Sequence, residues 1–305
     1  MTYKEKVCVA TVCNDLYLPG LVALTYSIKK YNPWLDFTLK VICSDNIVKF
    51  SEDSEEKIKK IHDNTIIHRI NDKHYSENIK KNSIASLPKW ARVIPSYLLF
   101  EVFDSPGFDV VVSFGTDMLC VDDISEMFLV GGSITATHMG MSVYQSTINW
   151  YNRNAPKSYL RKASGTPNNK KTYLSSETKP WVCSAPLVIR DPYITSEITN
   201  NLIKEISNPV NFTYPSGDEP VINNFLMDKE INMMPGVRYN VTQNLLTSGS
   251  QWNKGKTELE KFDIYKPAII HFGGHNKPWV KPNIKDIVYT KWWEIYNEAN
   301  NLLCK

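Results

Sequence analysis

Residues Val7 to Val12 (VCVATV) form an unbroken uncharged run, and that run constrains the fold more than any other stretch of the chain. A strand with no polar face has to be buried on both sides, which calls for a sheet covered by helices. The residues that follow fit this demand. After a turn at Asn14-Asp15, Leu21, Leu24, Thr25 and Ile28 recur at helical spacing, and Asn32-Pro33 stops the helix. Phe37 to Cys43 reads as a second strand, Ser51 to Ile61 as a charged helix and Asn64 to Ile70 as a third strand. Leu87 to Phe103 reads as a helix kinked at Pro95, and Asp109 to Phe114 as a short fourth strand. Such alternation predicts an α/β protein with a mostly parallel central sheet and helices on both faces.

The rest of the chain departs from that rhythm. Residues 141–180 are rich in Asn, Ser, Lys and Tyr with little periodicity, an irregular excursion that suits a lid on the acceptor side. Strand character returns at Trp181 to Ile189, a helix runs to Ser207, and 281–305 form a helical tail in which Trp292, Trp293 and Tyr296 read as packing residues. At 305 residues the chain suits a single domain, 1–305. A net charge of +3 is too small to argue for nucleic acid or a membrane surface. The cysteines form no Cys-x-x-Cys pair, which argues against a structural zinc site. The opening residues lack a signal-peptide layout, so the expectation is a soluble, cytoplasmic protein.

Chemistry concentrates in a few segments. His271-Phe-Gly-Gly-His-Asn-Lys-Pro-Trp279 follows the apolar run Pro267 to Ile270. It offers an imidazole for a metal, glycine N–H groups that can approach phosphate oxygens, and Lys277 to neutralise them. Asp117, after the fourth strand, is placed to ligate a hard cation, while Asp122 and Asp123 read as caps of a following short helix. Thr11, Asn14, Asp15 and Tyr17 at the end of the first strand suit a nucleotide base, although a capped turn explains them locally. Asp218 and Glu219 open an apolar helix. Helix capping and a grip on sugar hydroxyls, with Asn223 or Asn224 further on, stand level as readings.

Taken in order, these segments resemble glycosyltransferase family 8. VATVCNDLYLPGLVALTYSI (9–28) resembles the family's opening strand, uridine turn and first helix, and LPKWARVIPSYLLF (87–100) its arginine-bearing helix. SFGTDMLCVDDISEMF (113–128) stands at the place of the Asp-x-Asp strand, and WVCSAPLVI (181–189) where Asn-Ser-Gly usually precedes a strand. GDEPVINN (217–224) and MMPGVRYNV (233–241) are similar to later family segments, and HFGGHNKPW (271–279) to its His-x-x-Gly-x-x-Lys-Pro-Trp.

The resemblance implies a GT-A domain with a Rossmann-like sheet and a C-terminal helical extension, a UDP-sugar donor, Mn²⁺ (or Mg²⁺), and retention at the anomeric carbon. By position, Asp117 and His271 would be metal ligands, and Thr11, Asn14 and Tyr17 would hold the uridine. Gly274 and Lys277 would hold the diphosphate, Arg92 the phosphates or sugar, and Thr116 and Asn223 would join the nucleotide-sugar contacts. Asp218 would grip the sugar near the reacting carbon, and Glu219 leaves a covalent route open. Gly115 replaces the first aspartate of Asp-x-Asp, which predicts a weakened metal site with water or Asp109 as a substitute ligand. Cys183-Ser-Ala185 departs from Asn-Ser-Gly, and Glu219 stands where glutamine is common. A glycan or lipopolysaccharide core is the expected acceptor, with a protein or a modified nucleic-acid base as alternatives. A non-catalytic, nucleotide-sugar-binding descendant is the competing reading.

Overall fold

A computed structural model describes residues 4–82, 88–138, 182–208, 217–226, 228–247, 255–274, 277–280 and 286–304, with the backbone alone at 88–93, 138 and 237. The expected excursion at 141–180 lies outside the described residues. The main sheet contains β1 (Val7–Val12), β2 (Phe37–Ser44), β3 (Thr65–Ile70), β4 (Val110–Ser113), β6 (Ile134–His138), β7 (Val182–Arg190) and β8 (Asn232–Met234). Its order is β3-β2-β1-β4-β7-β6-β8. A second sheet joins β5 (Met118–Cys120), β10 (Ile269–His271) and β9 (Val241–Thr242) in the order β5-β10-β9.

The apolar runs have become the centre of the main sheet. β1 pairs in parallel with β2 (Val7 with Phe37) and with β4 (Val7 with Val110), and all four residues of β4 are buried. β3, at the edge, has no fully buried residue and exposes Ile66 and Arg69. β7 runs antiparallel to β4 with Ser113 opposite Leu187, so residues 182–186 overhang the carboxyl end of β4. That overhang later delivers a serine to the site.

The helix Leu18–Tyr31 is buried on two sides because it separates two cores. Leu21, Leu24 and Ile28 face the core under the main sheet, while Ala23 packs into a second core with Leu119, Ile270, Phe272 and Trp292. The C-terminal helix Ile287–Leu303 closes this second core. Trp292 is fully buried there, stacked on Tyr296 with ring centroids 5.0 Å apart.

Three expectations need correction. The stretch Pro88–Val102 winds as 3-10 turns instead of a kinked α-helix; Pro95 within it lacks the N–H that an α-helix would bond to residue 91. Asp123 accepts from the N–H (3.0 Å) and hydroxyl (2.7 Å) of Ser125 at the start of the short helix Ser125–Leu129, but Asp122 instead pairs with Arg238 at 3.2 Å. Asp109 accepts from the Lys6 N–H at 2.8 Å and stands before β4, whereas Asp117 follows it. The two carboxylates therefore lie at opposite ends of one strand, and Asp109 is no substitute ligand.

Candidate active site

The carboxyl end of β4 feeds a tight turn, closed by the Met118 N–H on the Gly115 carbonyl at 3.0 Å, and then β5. β5 pairs antiparallel with β10, placing Met118 opposite His271, and the Phe272 N–H bonds the Asp117 carbonyl at 2.8 Å. Two segments far apart in sequence thus meet side by side. Gly20 makes room for them: a Cβ there would strike the Thr116 carbonyl oxygen and stand 2.7 Å from the Trp279 ring. A glycine near the start of a helix costs about 1 kcal/mol against alanine, and close approach to the turn is what that cost serves. The sequence reading did not single out Gly20.

Asp117 is the centre of the cluster. Lys277 Nζ donates to Asp117 Oδ2 and, at 2.7 Å, to the Phe272 carbonyl oxygen. It also lies 5.8 Å from the centroid of the Tyr17 ring, which meets Trp279 edge-on at 5.5 Å. His271 Nε2 lies 3.4 Å from Asp117 Oδ1, and its Nδ1 lies 2.9 Å from Asn240 Oδ1. Asn240 Nδ2 lies 3.5 Å from the Thr137 hydroxyl; with the amide in that orientation its oxygen faces the imidazole and Nδ1 is the donor. In the neutral ring Nε2 then carries the lone pair and faces a carboxylate oxygen. Two electron-rich atoms so placed are reconciled by a proton or a cation between them. Burial acts to raise the Asp117 carboxyl, but the His271 ring and the Lys277 ammonium hold it well below the usual carboxylate range.

Asp117 and His271 fit a divalent cation as two of its ligands. Bonds of about 2.0–2.2 Å from one ion put neighbouring ligand atoms roughly 3–3.5 Å apart. Among the described residues no third His, Cys, Asp or Glu joins them. Gly115 adds no ligand, and a Cβ built on it would stand 2.7 Å from Asp117 Oδ1, so Asp117 leans over the space a neighbouring side chain would need. Gln243, also missed from sequence, donates to the Gly273 carbonyl at 2.9 Å and braces the glycine loop; Gly274 beyond it has φ +79°.

A second carboxylate has different surroundings. Asp218 begins the helix Asp218–Leu226, is 5% exposed, and accepts from the hydroxyls of Ser184 and Ser96 and the N–H of Glu219. Ser184 lies on the part of β7 that overhangs β4. Burial outweighs these bonds and pushes the Asp218 carboxyl up. Asn223 is occupied with the backbone: it accepts from Val182 N–H at 2.8 Å and donates to the carbonyls of Val182 (2.9 Å) and Glu219 (2.8 Å). It clips the helix to the start of β7 and so holds Asp218 in register.

The profile of the family described as "Glycosyl transferase family 8" matches residues 8–282. The chain belongs to glycosyltransferase family 8. It is therefore a glycosyltransferase, and its fold is of the GT-A type. Among solved structures it is similar to the galactosyltransferase LgtC in complex with donor and acceptor sugar analogues, with 13% identity over 95% of both chains and a TM-score of 0.62. It is also similar to the bifunctional glycosyltransferase WbbM, with 16% identity and a TM-score of 0.62 over 97% of this chain and 50% of that one. The glycosyltransferase GlyE of Streptococcus pneumoniae TIGR4 matches at 12% identity and a TM-score of 0.56, over 96% of this chain and 60% of that one. At these identities the likeness is one of fold. No curated protein matches by sequence.

In this family 8 chain, then, one cluster unites Tyr17, Asp117, His271 and Lys277, with Asn14 adjoining. Asn14 Oδ1 accepts the Tyr17 N–H at 3.1 Å, which makes it the cap of the turn Asp15–Tyr17. Thr11 is fully buried, and its hydroxyl has no hydrogen-bond partner among the described residues. Thr116 is also buried, within the β4–β5 turn. Asp218, Glu219 and Asn223 form the separate helix-borne group. Arg92 lies on the described backbone of Pro88–Val102, but its side chain is outside the described residues.

Proposed function

We propose that this glycosyltransferase moves a sugar from a UDP-sugar to a hydroxyl of a glycan or lipopolysaccharide-type acceptor, with retention at the anomeric carbon. The observation that carries the reading is the convergence of Asp117, His271 and Lys277 beneath Tyr17, past the carboxyl end of β4. Open α/β sheets bind ligands at that edge. Thr11, Asn14 and Tyr17 would face the uridine, Thr116 and Arg92 would join the donor contacts, and Lys277 with Gly274 would receive the diphosphate. Asp117 and His271 would hold Mn²⁺ or Mg²⁺, a site weakened by Gly115 and dependent on donor oxygens for its remaining ligands. When bound, such an ion offsets charge on the departing diphosphate.

Asp218, raised in proton affinity by burial and steadied by Ser184, suits a grip on sugar hydroxyls. Asn223 serves it by positioning the helix. Retention follows if the acceptor oxygen bonds the anomeric carbon on the face from which the phosphate oxygen departs, and that oxygen takes the acceptor proton. Glu219, half-buried on the same helix, is the group a covalent route would use. Among the described residues no helix is long and apolar enough to cross a membrane, and a cytoplasmic site of action belongs to the proposal.

Gly115 favours a second reading, in which the chain binds a nucleotide sugar without transferring it. A thermal-shift screen of UDP-sugars, followed by donor hydrolysis with and without Mn²⁺, separates the two. Turnover of one donor is expected. Donor binding without turnover would select the binding protein, and neither would overturn both.

A further inference from the structure

The helix Asp218–Leu226 fixes where the Asp218 carboxyl is rooted, but not where it points. The backbone holds its Cβ, and the side-chain torsions beyond it choose among rotamers according to what surrounds them. Two hydroxyls from other elements supply those surroundings: Ser184 from β7 and Ser96 from the stretch Pro88–Val102.

The two supports are not equally firm. Ser184 lies where the β6–β7 register breaks, between the pairs Ala136–Leu187 and His138–Val182. Ser96 lies on a stretch whose far end is fastened at several points. Lys40, buried on β2, donates from Nζ to the carbonyl oxygens of Glu101 (2.9 Å) and Asp104, and to Ser105 Oγ at 3.1 Å. The Tyr75 hydroxyl donates to Glu101 Oε1 at 2.9 Å, and the Thr199 hydroxyl donates to the Phe100 carbonyl oxygen at 3.0 Å. Phe103, just past the stretch, meets Phe225 edge-on with ring centroids 5.7 Å apart, so the helix that bears Asp218 rests on the same support. Tyr97, next to Ser96, is fully buried; burial first and the Asp218 charge second push its hydroxyl up, which sets the carboxylate against this stretch. Arg92 precedes Ser96 on it.

We propose that Ser96 is a positioning residue for the transfer: its hydroxyl aims the Asp218 carboxylate at the donor sugar, and the stretch anchored by Lys40 gives that aim a fixed reference. The inference rests on reading Asp218 as the carboxylate that grips the sugar. Such a group has to be held to within about 0.5 Å of its productive place. Loosening it costs the transition state more than the bound donor, so turnover falls before binding does.

The test follows hydrolysis of UDP-galactose and of UDP-glucose with Mn²⁺, with UDP affinity measured separately, in wild type, Ser96→Ala, Asp218→Ala and the double variant. Ser96→Ala is expected to lower kcat about tenfold while KM and UDP affinity stay within about twofold. In the Asp218→Ala background the same change should cost less than about twofold, because the group it acts through is gone. Ser96→Thr, which keeps a hydroxyl, should restore most of the lost rate. Equal losses in the two backgrounds overturn the proposal, and so does a Ser96→Ala protein with the kcat of wild type. A raised KM with unchanged kcat overturns it as well. If wild type hydrolyses neither sugar nucleotide, the donor reading fails for those sugars, and thermal melts of the same proteins still decide the link. A loss of melting temperature on Ser96→Ala that disappears in the Asp218→Ala background upholds it; an equal loss in both overturns it.

Discussion

Two buried aspartates, Asp117 and Asp218, face opposite electrostatic settings in this molecule. Asp117 is bonded to an ammonium and stands beside an imidazole, which keep it ionised. Asp218 has hydroxyl and N–H partners, and burial raises its affinity for a proton. The difference arises from the elements that meet them. β10 and the loop after it bring His271 and Lys277 to Asp117, whereas the overhang of β7 brings Ser184 to Asp218. A carboxylate surrounded by cations suits the binding of ions and phosphates. One surrounded by hydroxyls, with its proton affinity raised by burial, suits another hydroxyl, as a sugar presents.

The strongest way to break this contrast is to remove Asp117. Asp117→Ala and His271→Ala should each abolish Mn²⁺-dependent UDP binding, and turnover should fall by about 10²–10³ as when a charge-stabilising group is lost. Manganese binding retained in both variants, measured by titration calorimetry, would refute the ligand assignment. Asp218→Asn should lower kcat by about 10²-fold while UDP affinity stays near wild type; a parallel loss of UDP affinity would show that the two corners are not separate. Asn240→Ala should weaken Mn²⁺ binding in the presence of UDP by roughly 10-fold or more, because the His271 tautomer loses its support. The nitrogen chemical shifts of the ring report that tautomer directly, and a merely structural role would leave them unmoved.

The smallest effect is on stability against pH, and the two aspartates should oppose each other. Asp117 is lowered in the folded state, so its contribution is present above the unfolded value of about 3.9 and fades as pH falls through its folded value. Asp218 is raised, so its contribution is full below about pH 3.9 and fades as pH rises through its folded value. Asp218→Asn should therefore raise the melting temperature at pH 8 relative to wild type and do less at pH 4. Asp117→Asn should lower it at pH 7 and do less at pH 3. Melting curves at those pH values check both signs.

The central strands were legible because burial on both faces leaves a run without polar residues: Val7–Val12 is read from sequence with the bounds it has in the sheet. The short strands β5, β9 and β10, of two or three residues, are too brief for any period to register, and they are the strands that assemble the cradle. The glycine–lysine loop was legible as chemistry, since imidazole, bare backbone and cation lie within a few residues. Asn240 and Gln243 were not, because an amide that bonds a histidine or a carbonyl carries no local signature. Nor was the clip formed by Asn223, whose partner Val182 lies 41 residues away. The Arg92 side chain and the 141–180 segment stay as expectations outside the described residues.

Local chemistry dictated a buried parallel sheet, the position of Asp117 at the end of a strand, and a loop able to meet phosphate. Such features depend on neighbours in the chain, and the residue order alone specifies them. Lys277 and Asp117 are 160 residues apart, and no local pattern encodes the hydrogen bond between them. That contact exists because β5 and β10 pair across the second core, and it turns an isolated carboxylate and an isolated lysine into one balanced charge. The proton affinity of Asp218 has the same kind of origin, since it is set by what folding packs around the carboxyl group and by the water folding removes.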